Sequence, residues 1–134
     1  MLDYLWVGMG GALGSVARFW AAGWITRQWG DAFPWGTLLV NITGSFLIGF
    51  VATLTASDGR WTTGPSFRTF FMVGICGGYT TFSAFSFQTL NLMRSGAWLQ
   101  AGLNSVLSVV LCLVATALGC FLANSLRTST KALG

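Results

Sequence analysis

The segment GGYTTFSAFS, residues 77–86, interrupts the third apolar stretch of the chain and decides the fold. The apolar residues around it extend from about 67 to 93, enough for a membrane-spanning helix. Paired glycines followed by Thr80 and Thr81 are nevertheless a poor helix interior. A broken membrane helix must satisfy its freed backbone groups within protein or against water or an ion. The segment therefore predicts either an ion site between two half-helices or a kink at a close helix contact.

Three further apolar stretches flank this one, at about residues 4–25, 35–56 and 97–123. Hydrophobic residues make up 54% of the 134 residues and charged residues only 7%. Soluble domains carry about 25% charged residues, so lipid has to cover much of this surface. The sequence predicts an all-α integral membrane protein. It further predicts that residues 1–134 form a single membrane domain with four transmembrane helices, the third of them broken.

The composition excludes several classes of function. Histidine is absent, which removes Ser-His-Asp and Cys-His catalysis, and we expect no enzyme. No P-loop is present, and no cluster of basic residues points to nucleic acid. The acidic residues lie outside the four spans, so an obvious carboxylate proton relay is missing; they are Asp3, Asp31 and Asp58.

Two aromatic residues follow the interruption, with Ser83 between them. Phe82 and Phe85 are three positions apart and therefore share a helix face. A core or lipid-facing pair is one interpretation. The other uses the positive edge of the aromatic ring, which can line an anion path without a full charge, as a weak lining that permits passage.

Polar residues lie at four-residue steps in the second and fourth spans. Thr37 and Asn41 share one face of the second span, where a buried amide either bonds another helix or donates to an anion. In the fourth span, hydroxyls can donate to anions or bond back to their own helix. The fourth-span stripe consists of Asn104, Ser108, Cys112 and Thr116.

The first span combines a packing motif with a charge. Gly10 and Gly14 form a G-x-x-x-G pair, which favours close helix contact in lipid. Arg18 lies well inside the same span. It either extends to the interface or acts as a vestibule cation that concentrates anions.

The basic residues give little orientation signal. With four spans both termini lie on one side of the membrane, and four basic residues there face three on the other. Such a balance allows insertion in both directions, although a mild bias can still fix one topology. The two sets are Arg60, Arg68, Arg127 and Lys131, and Arg18, Arg27 and Arg94.

The chain resembles the fluoride channel family known as Fluc or CrcB. The matching pieces are residues 10–14 with Arg18, residues 35–41, and the specific run 77–86. The resemblance covers nearly the whole chain in motif order and spacing. Two positions depart from it: Gln88 stands where relatives often carry Glu, and Cys112 where they often carry Ser.

The resemblance implies a passive channel that exports cytoplasmic fluoride across a bacterial inner or plasma membrane. It implies an antiparallel, dual-topology homodimer with lipid, fluoride and sodium as further partners. By analogy, ring edges and polar groups line the pore, Arg18 lies in the vestibule, and carbonyls of Gly77 and Thr80 from both protomers hold a structural Na⁺. The pore residues implied are Thr37, Asn41, Phe82, Ser83, Phe85, Ser108, Cys112 and Thr116. The alternatives are a four-helix small multidrug-type exporter, which needs a membrane carboxylate, and a non-transporting membrane scaffold.

Overall fold

A computed structural model describes residues 2–56 and 64–131, without the side chains of residues 127 and 129–131. It is helical throughout its regular structure. The third helix, α3, is a composite of an α-helical turn, a π-helical stretch and a final α-helical turn: Pro65–Arg68, Thr69–Cys76 and Gly77–Tyr79. The other helices are α1 (Leu2–Trp29), α2 (Trp35–Leu54), α4 (Phe82–Arg94) and α5 (Trp98–Lys131). Arg60 and the side chains of Arg127 and Lys131, used above to judge orientation, lie outside the described part.

Three helical segments of the described chain are long and apolar enough to cross a membrane: Trp35–Leu54, Pro65–Arg94 and Trp98–Leu126. The first helix, α1, is not among them, although its 28 residues suffice in length at about 1.5 Å per residue. Its glycines, tryptophans and Arg18 lower its hydropathy. The arrangement fits four helices with a bent third, and a membrane-spanning α1 stays a prediction.

Glycines allow α1 to lie directly against α3. A Cβ atom built on Gly74 would lie 2.9 Å from the Gly10 Cα, and one on Gly14 would lie 2.8 Å from the Tyr79 backbone nitrogen. Such distances leave no room for a side chain at either position. The close packing expected from the G-x-x-x-G pair is therefore confirmed.

The packing of α2 against α5 is the most extensive between helices. It depends on a second pair of glycines, because a Cβ on Gly49 would meet the Thr116 backbone and one on Gly119 would lie 2.8 Å from the Phe50 nitrogen. Leu38, Val40 and Ala115 are buried in the described core. The broken third helix packs mainly against α1, whereas α4 packs mainly against α5.

The third span breaks at Thr80 and Thr81, as the sequence predicted. Both residues are extended, with φ −81° and ψ 156° for Thr80 and φ −152° and ψ 113° for Thr81. The Thr81 hydroxyl accepts a hydrogen bond of 3.2 Å from the Ala84 N–H, which caps the start of α4. Thr80 lies over Gly44, whose missing side chain leaves space for the Thr80 methyl group.

Candidate ion-binding site at the helix break

Asn41 of α2 binds the broken backbone through both ends of its amide. Its Nδ2 donates to the Thr81 carbonyl at 3.1 Å, and its Oδ1 accepts from the Thr81 N–H at 2.7 Å. In an unbroken helix that N–H would bond the Gly77 carbonyl four residues earlier. Asn41 therefore replaces a helical hydrogen bond and frees the Gly77 carbonyl from this partner.

This pairing supports the structural interpretation of Asn41 and leaves room for the other. The amide nitrogen carries two hydrogens, and the bond to Thr81 uses one of them. Asn41 also lines the cavity next to the break. The side chain can thus hold the break open and offer its second N–H to an acceptor in the cavity.

A cavity of about 420 Å³ lies beside the break. It is bounded by α2, the end of α3, the start of α4 and the middle of α5. Most of its wall is apolar, and the polar groups are few and placed on different helices. Of the predicted site residues, it brings together Asn41, Gly77, Thr80, Phe82, Phe85, Ser108 and Cys112.

Phe82 and Phe85 form a tilted pair at this cavity. Their ring centroids lie 5.2 Å apart with an interplanar angle of 44°. Phe82 is 76% exposed on the single chain, whereas Phe85 is half-buried. The two rings are therefore not stacked, and both residues line the cavity.

Ser108 brings an uncommitted hydroxyl to the cavity wall. The residue is only 8% exposed, and its Oγ has no hydrogen-bond partner. Buried hydroxyls without partners are uncommon. Such a group beside a cavity is available to donate to a bound anion or to water.

Three predicted residues lie in a second cleft instead. Arg18, Thr37 and Ser83 line this cleft, whose volume is about 710 Å³. Thr81 borders both the cleft and the cavity at the break. The Ser83 hydroxyl lies 3.1 Å from the Thr81 hydroxyl, so a polar contact joins the two spaces across the break.

A third cleft of about 610 Å³ continues from the second towards the α1–α2 connection. Thr26, Pro34 and Gln88 line both clefts. The Gln88 Oε1 is buried without a hydrogen-bond partner, and Asp31 stands at the outer cleft. The shared lining residues therefore place the two clefts next to each other, between the helix break and the α1–α2 connection.

Cys112 and Thr116, the next two residues of the α5 stripe, differ in their surroundings. Cys112 lines the cavity, but the Thr116 hydroxyl donates to the Cys112 carbonyl at 2.9 Å, the alternative that the sequence left open. Thr116 does not line the cavity. Its part in an ion path stays a prediction, as do those of the other pore residues.

Carbonyl groups supply the polar surface near Gly77 and Thr80. The Thr80 hydroxyl donates to the Cys76 carbonyl at 2.9 Å, so it is committed to its own helix. Gly77 is exposed on the single chain. Within residues 2–56 and 64–131, no group of three or more His, Cys, Asp or Glu residues could hold a metal, so a cation here would depend on carbonyl oxygens.

Sequence reasoning missed the contribution of Thr81 and Thr89. Thr81 is the residue that Asn41 pairs with, and Thr89 is a buried acceptor for Asn104. A threonine placed just before an apolar run is a typical helix cap, which was an available signal for Thr81. Nothing in the local pattern distinguishes Thr89.

Comparisons with known proteins agree on one family. Residues 5–120 match the family model described as "CrcB-like protein, Camphor Resistance (CrcB)". A protein of Methylocella silvestris called fluoride-specific ion channel FluC is 58% identical over 88% of this chain and 90% of its own length. Proteins of that name from Opitutus terrae and Rhodospirillum rubrum are 57% identical over 94% of this chain and 98% of theirs, and 56% identical over 88% and 92%.

Proposed function

This chain belongs to the CrcB family, and we infer from that membership that it is a fluoride-specific ion channel. It is a multi-pass membrane protein and a passive channel, not an enzyme. The activity removes cytoplasmic fluoride and so protects the cell against its toxicity. The channel interpretation is favoured over a multidrug-type exporter or a scaffold because the similar proteins carry the channel name.

The observation that carries the mechanism is the cavity at the helix break. Fluoride is small and strongly hydrated, so a channel must replace its water with close donors. Ser108, whose hydroxyl has no partner, lines one space together with Asn41, Phe82 and Phe85, and we assign the Ser108 hydroxyl, the second Asn41 N–H and the ring edges to the ion. These groups are neutral, so each holds the anion weakly and allows it to leave.

The second cleft supplies the approach to this cavity. Arg18 is the cationic side chain among its lining residues. A cation in a narrow cleft with low-dielectric walls raises the local anion concentration. Thr37 and Ser83 then offer hydroxyl groups along the same wall. We assign fluoride a path from Arg18, past the Thr81 region, to the rings.

The channel is proposed to be an antiparallel dimer. The cavity is open on the single chain, and Phe82 and Gly77 at its border are exposed. The broken backbone at this border cannot face lipid, because backbone groups without helical partners would have neither water nor protein to bond. The balanced distribution of basic residues supports two copies inserted in opposite directions.

A structural sodium ion is proposed between the two copies. At the break, the Gly77 carbonyl loses the Thr81 N–H as its helical hydrogen-bond partner, and the Thr80 backbone is extended. Gly77 lies at the exposed border of the cavity. Hard cations prefer oxygen ligands, and two copies would double the number of carbonyls. The ion would neutralise the carbonyl dipoles that would otherwise face each other in the dimer.

The test is an efflux measurement from liposomes loaded with potassium fluoride. Purified protein should release fluoride down its concentration gradient once valinomycin lets potassium leave with it and so prevents a membrane potential from building up. It should release chloride far more slowly. Equal release of the two halides would reject selectivity, and no release of either from correctly folded protein would reject the channel.

A further inference from the structure

A buried chain of hydrogen bonds connects α5 to the backbone of Phe85. The Asn104 Nδ2 donates to the Thr89 Oγ1 at 2.8 Å, and the Thr89 hydroxyl donates to the Phe85 carbonyl at 2.8 Å. Asn104 is 1% exposed and Thr89 is 7% exposed. Neither residue lines the cavity at the break, so neither is available to touch an ion there.

The position of this chain within α4 is informative. Among the helices of the described chain, α4 packs mainly against α5 and has few contacts with α2. Asn41 holds its beginning through Thr81, and Asn104 holds it two turns later through Thr89. Phe82 and Phe85 lie between these two amide contacts, on the part of α4 that faces the cavity.

We propose that Asn104 and Thr89 are positioning residues that fix the height and rotation of Phe85 against Ser108. Ser108 lies one helical turn after Asn104 on α5, and Phe85 one turn before Thr89 on α4. The contact between Asn104 and Thr89 therefore sets the position of Phe85 relative to Ser108. A hydrogen bond within an apolar membrane interior is directional, whereas the surrounding apolar contacts permit α4 to slide or rotate.

The alternative is that this pair only holds two helices together. Interhelical hydrogen bonds in membranes contribute modestly to stability, so a purely structural pair would affect yield and not the properties of folded channels. The proposal rests on the fluoride-channel function for its transport test. The proposal also predicts a change at the Phe85 ring that can be measured without any transport assay.

The experiment compares Thr89→Val, which keeps the shape and removes the hydroxyl, with Thr89→Ser, which keeps the hydroxyl. Thr89→Val and Asn104→Leu should each lower fluoride flux per folded channel by about three- to tenfold, and should also lower fluoride-to-chloride selectivity. Thr89→Ser should retain most of both. The double variant should be no worse than either single one, since both remove the same contact.

Ser105→Ala is the matched control on α5. Ser105 is half-buried and bonds only back to the Ala101 carbonyl in the described structure, so its loss should change neither flux nor selectivity. Normal flux and selectivity in folded Thr89→Val and Asn104→Leu would overturn the proposal, as would additive losses in the double variant.

A second readout follows the Phe85 ring directly. With 4-fluorophenylalanine incorporated at position 85 alone, the fluorine NMR signal should shift or broaden in Thr89→Val and stay near its original position in Thr89→Ser. An unchanged signal in Thr89→Val would overturn the positioning role. Since this readout requires no transport, a wild-type protein without fluoride flux would refute the channel function and leave the positioning proposal to be decided by the spectrum.

Discussion

The Ser108 hydroxyl stands out among the polar groups of the cavity because it is buried and unpaired. Asn41 and Thr80 each direct at least one polar group at a backbone partner. An unpaired buried polar group is destabilising by about 1–3 kcal/mol. A group kept at such a cost suits a function that only a visiting ligand completes.

Ser108→Ala should therefore separate stability from transport. Removing an unpaired hydroxyl should leave the thermal stability in detergent equal to or above that of the original protein. Fluoride flux should fall roughly tenfold, since a donor to the dehydrated ion contributes about 1.5 kcal/mol. Ser105→Ala is the comparison, because the Ser105 hydroxyl bonds the Ala101 carbonyl of its own helix and its loss should change flux little. Lower stability with normal flux in Ser108→Ala would contradict this interpretation of Ser108.

The ring edges of Phe82 and Phe85 can be tested by removing the aromatic quadrupole while keeping an apolar side chain. In Phe85→Ile and Phe82→Ile, we expect fluoride flux to fall by roughly two- to tenfold, as each edge contact contributes about 0.5–1.5 kcal/mol. Slower fluoride efflux from liposomes, with an intact elution profile in detergent, would support the mechanism. Phe87→Ile is the control, since Phe87 is exposed and lies outside the cavity lining; undiminished flux in both pore variants would remove the ring-edge mechanism.

At the scale of the helices, close backbone contact and not side-chain burial holds α1 against α3. The glycine at position 14 faces the Tyr79 backbone at a distance that no side chain tolerates, whereas a Cβ on Gly11 would meet open space. This contact lies at the turn that ends α3. Its geometry therefore bears on the break as well as on stability.

Gly14→Ala should destabilise the protein by about 1–3 kcal/mol, the usual range for overpacking. Gly11→Ala, on the same helix, should be neutral or slightly stabilising because alanine favours the helix more than glycine does. The measurement is the midpoint of thermal aggregation in detergent, followed by size exclusion. Equal midpoints for the two variants would show that α1 does not press against α3 at Gly14.

Long apolar runs predicted the helices, and glycines followed by consecutive β-branched residues predicted the break, because both patterns act on the local backbone. The position of the break could not be predicted as closely, since Gly77 and Gly78 stay helical and the chain is extended at Thr80 and Thr81, where Asn41 of another helix bonds Thr81. The direction of side chains is different, since it depends on the rotation of each helix about its axis. Asn104 and Ser108 share one stripe in the sequence, yet the first bonds Thr89 and the second is unpaired.

At the scale of the whole molecule, the face that contains the helix break is open and partly apolar. The cavity at the break is open, and its border exposes Phe82, Gly77 and apolar residues of α5, including Val109 and Leu113. A second copy in the opposite orientation would cover this border with the same groups. Isologous contacts of this kind are the commonest form of homodimer.

Topology can be controlled through charge, because flanking basic residues set the orientation of a membrane protein. One double variant, Gln28→Lys with Ala32→Lys, adds positive charge at the α1–α2 connection. The other, Leu2→Lys with Ser66→Lys, adds positive charge at the opposite end of the molecule. All four positions are exposed. Each double variant should insert mainly in one orientation, which can be measured by labelling a cysteine placed at Asp3 from either side of the membrane.

If the channel needs two opposite copies, each variant expressed alone should conduct poorly, and expressing both together should restore fluoride flux. Full flux from a variant inserted in a single direction would contradict the antiparallel dimer, whereas the cavity at the break would still be available to a parallel one.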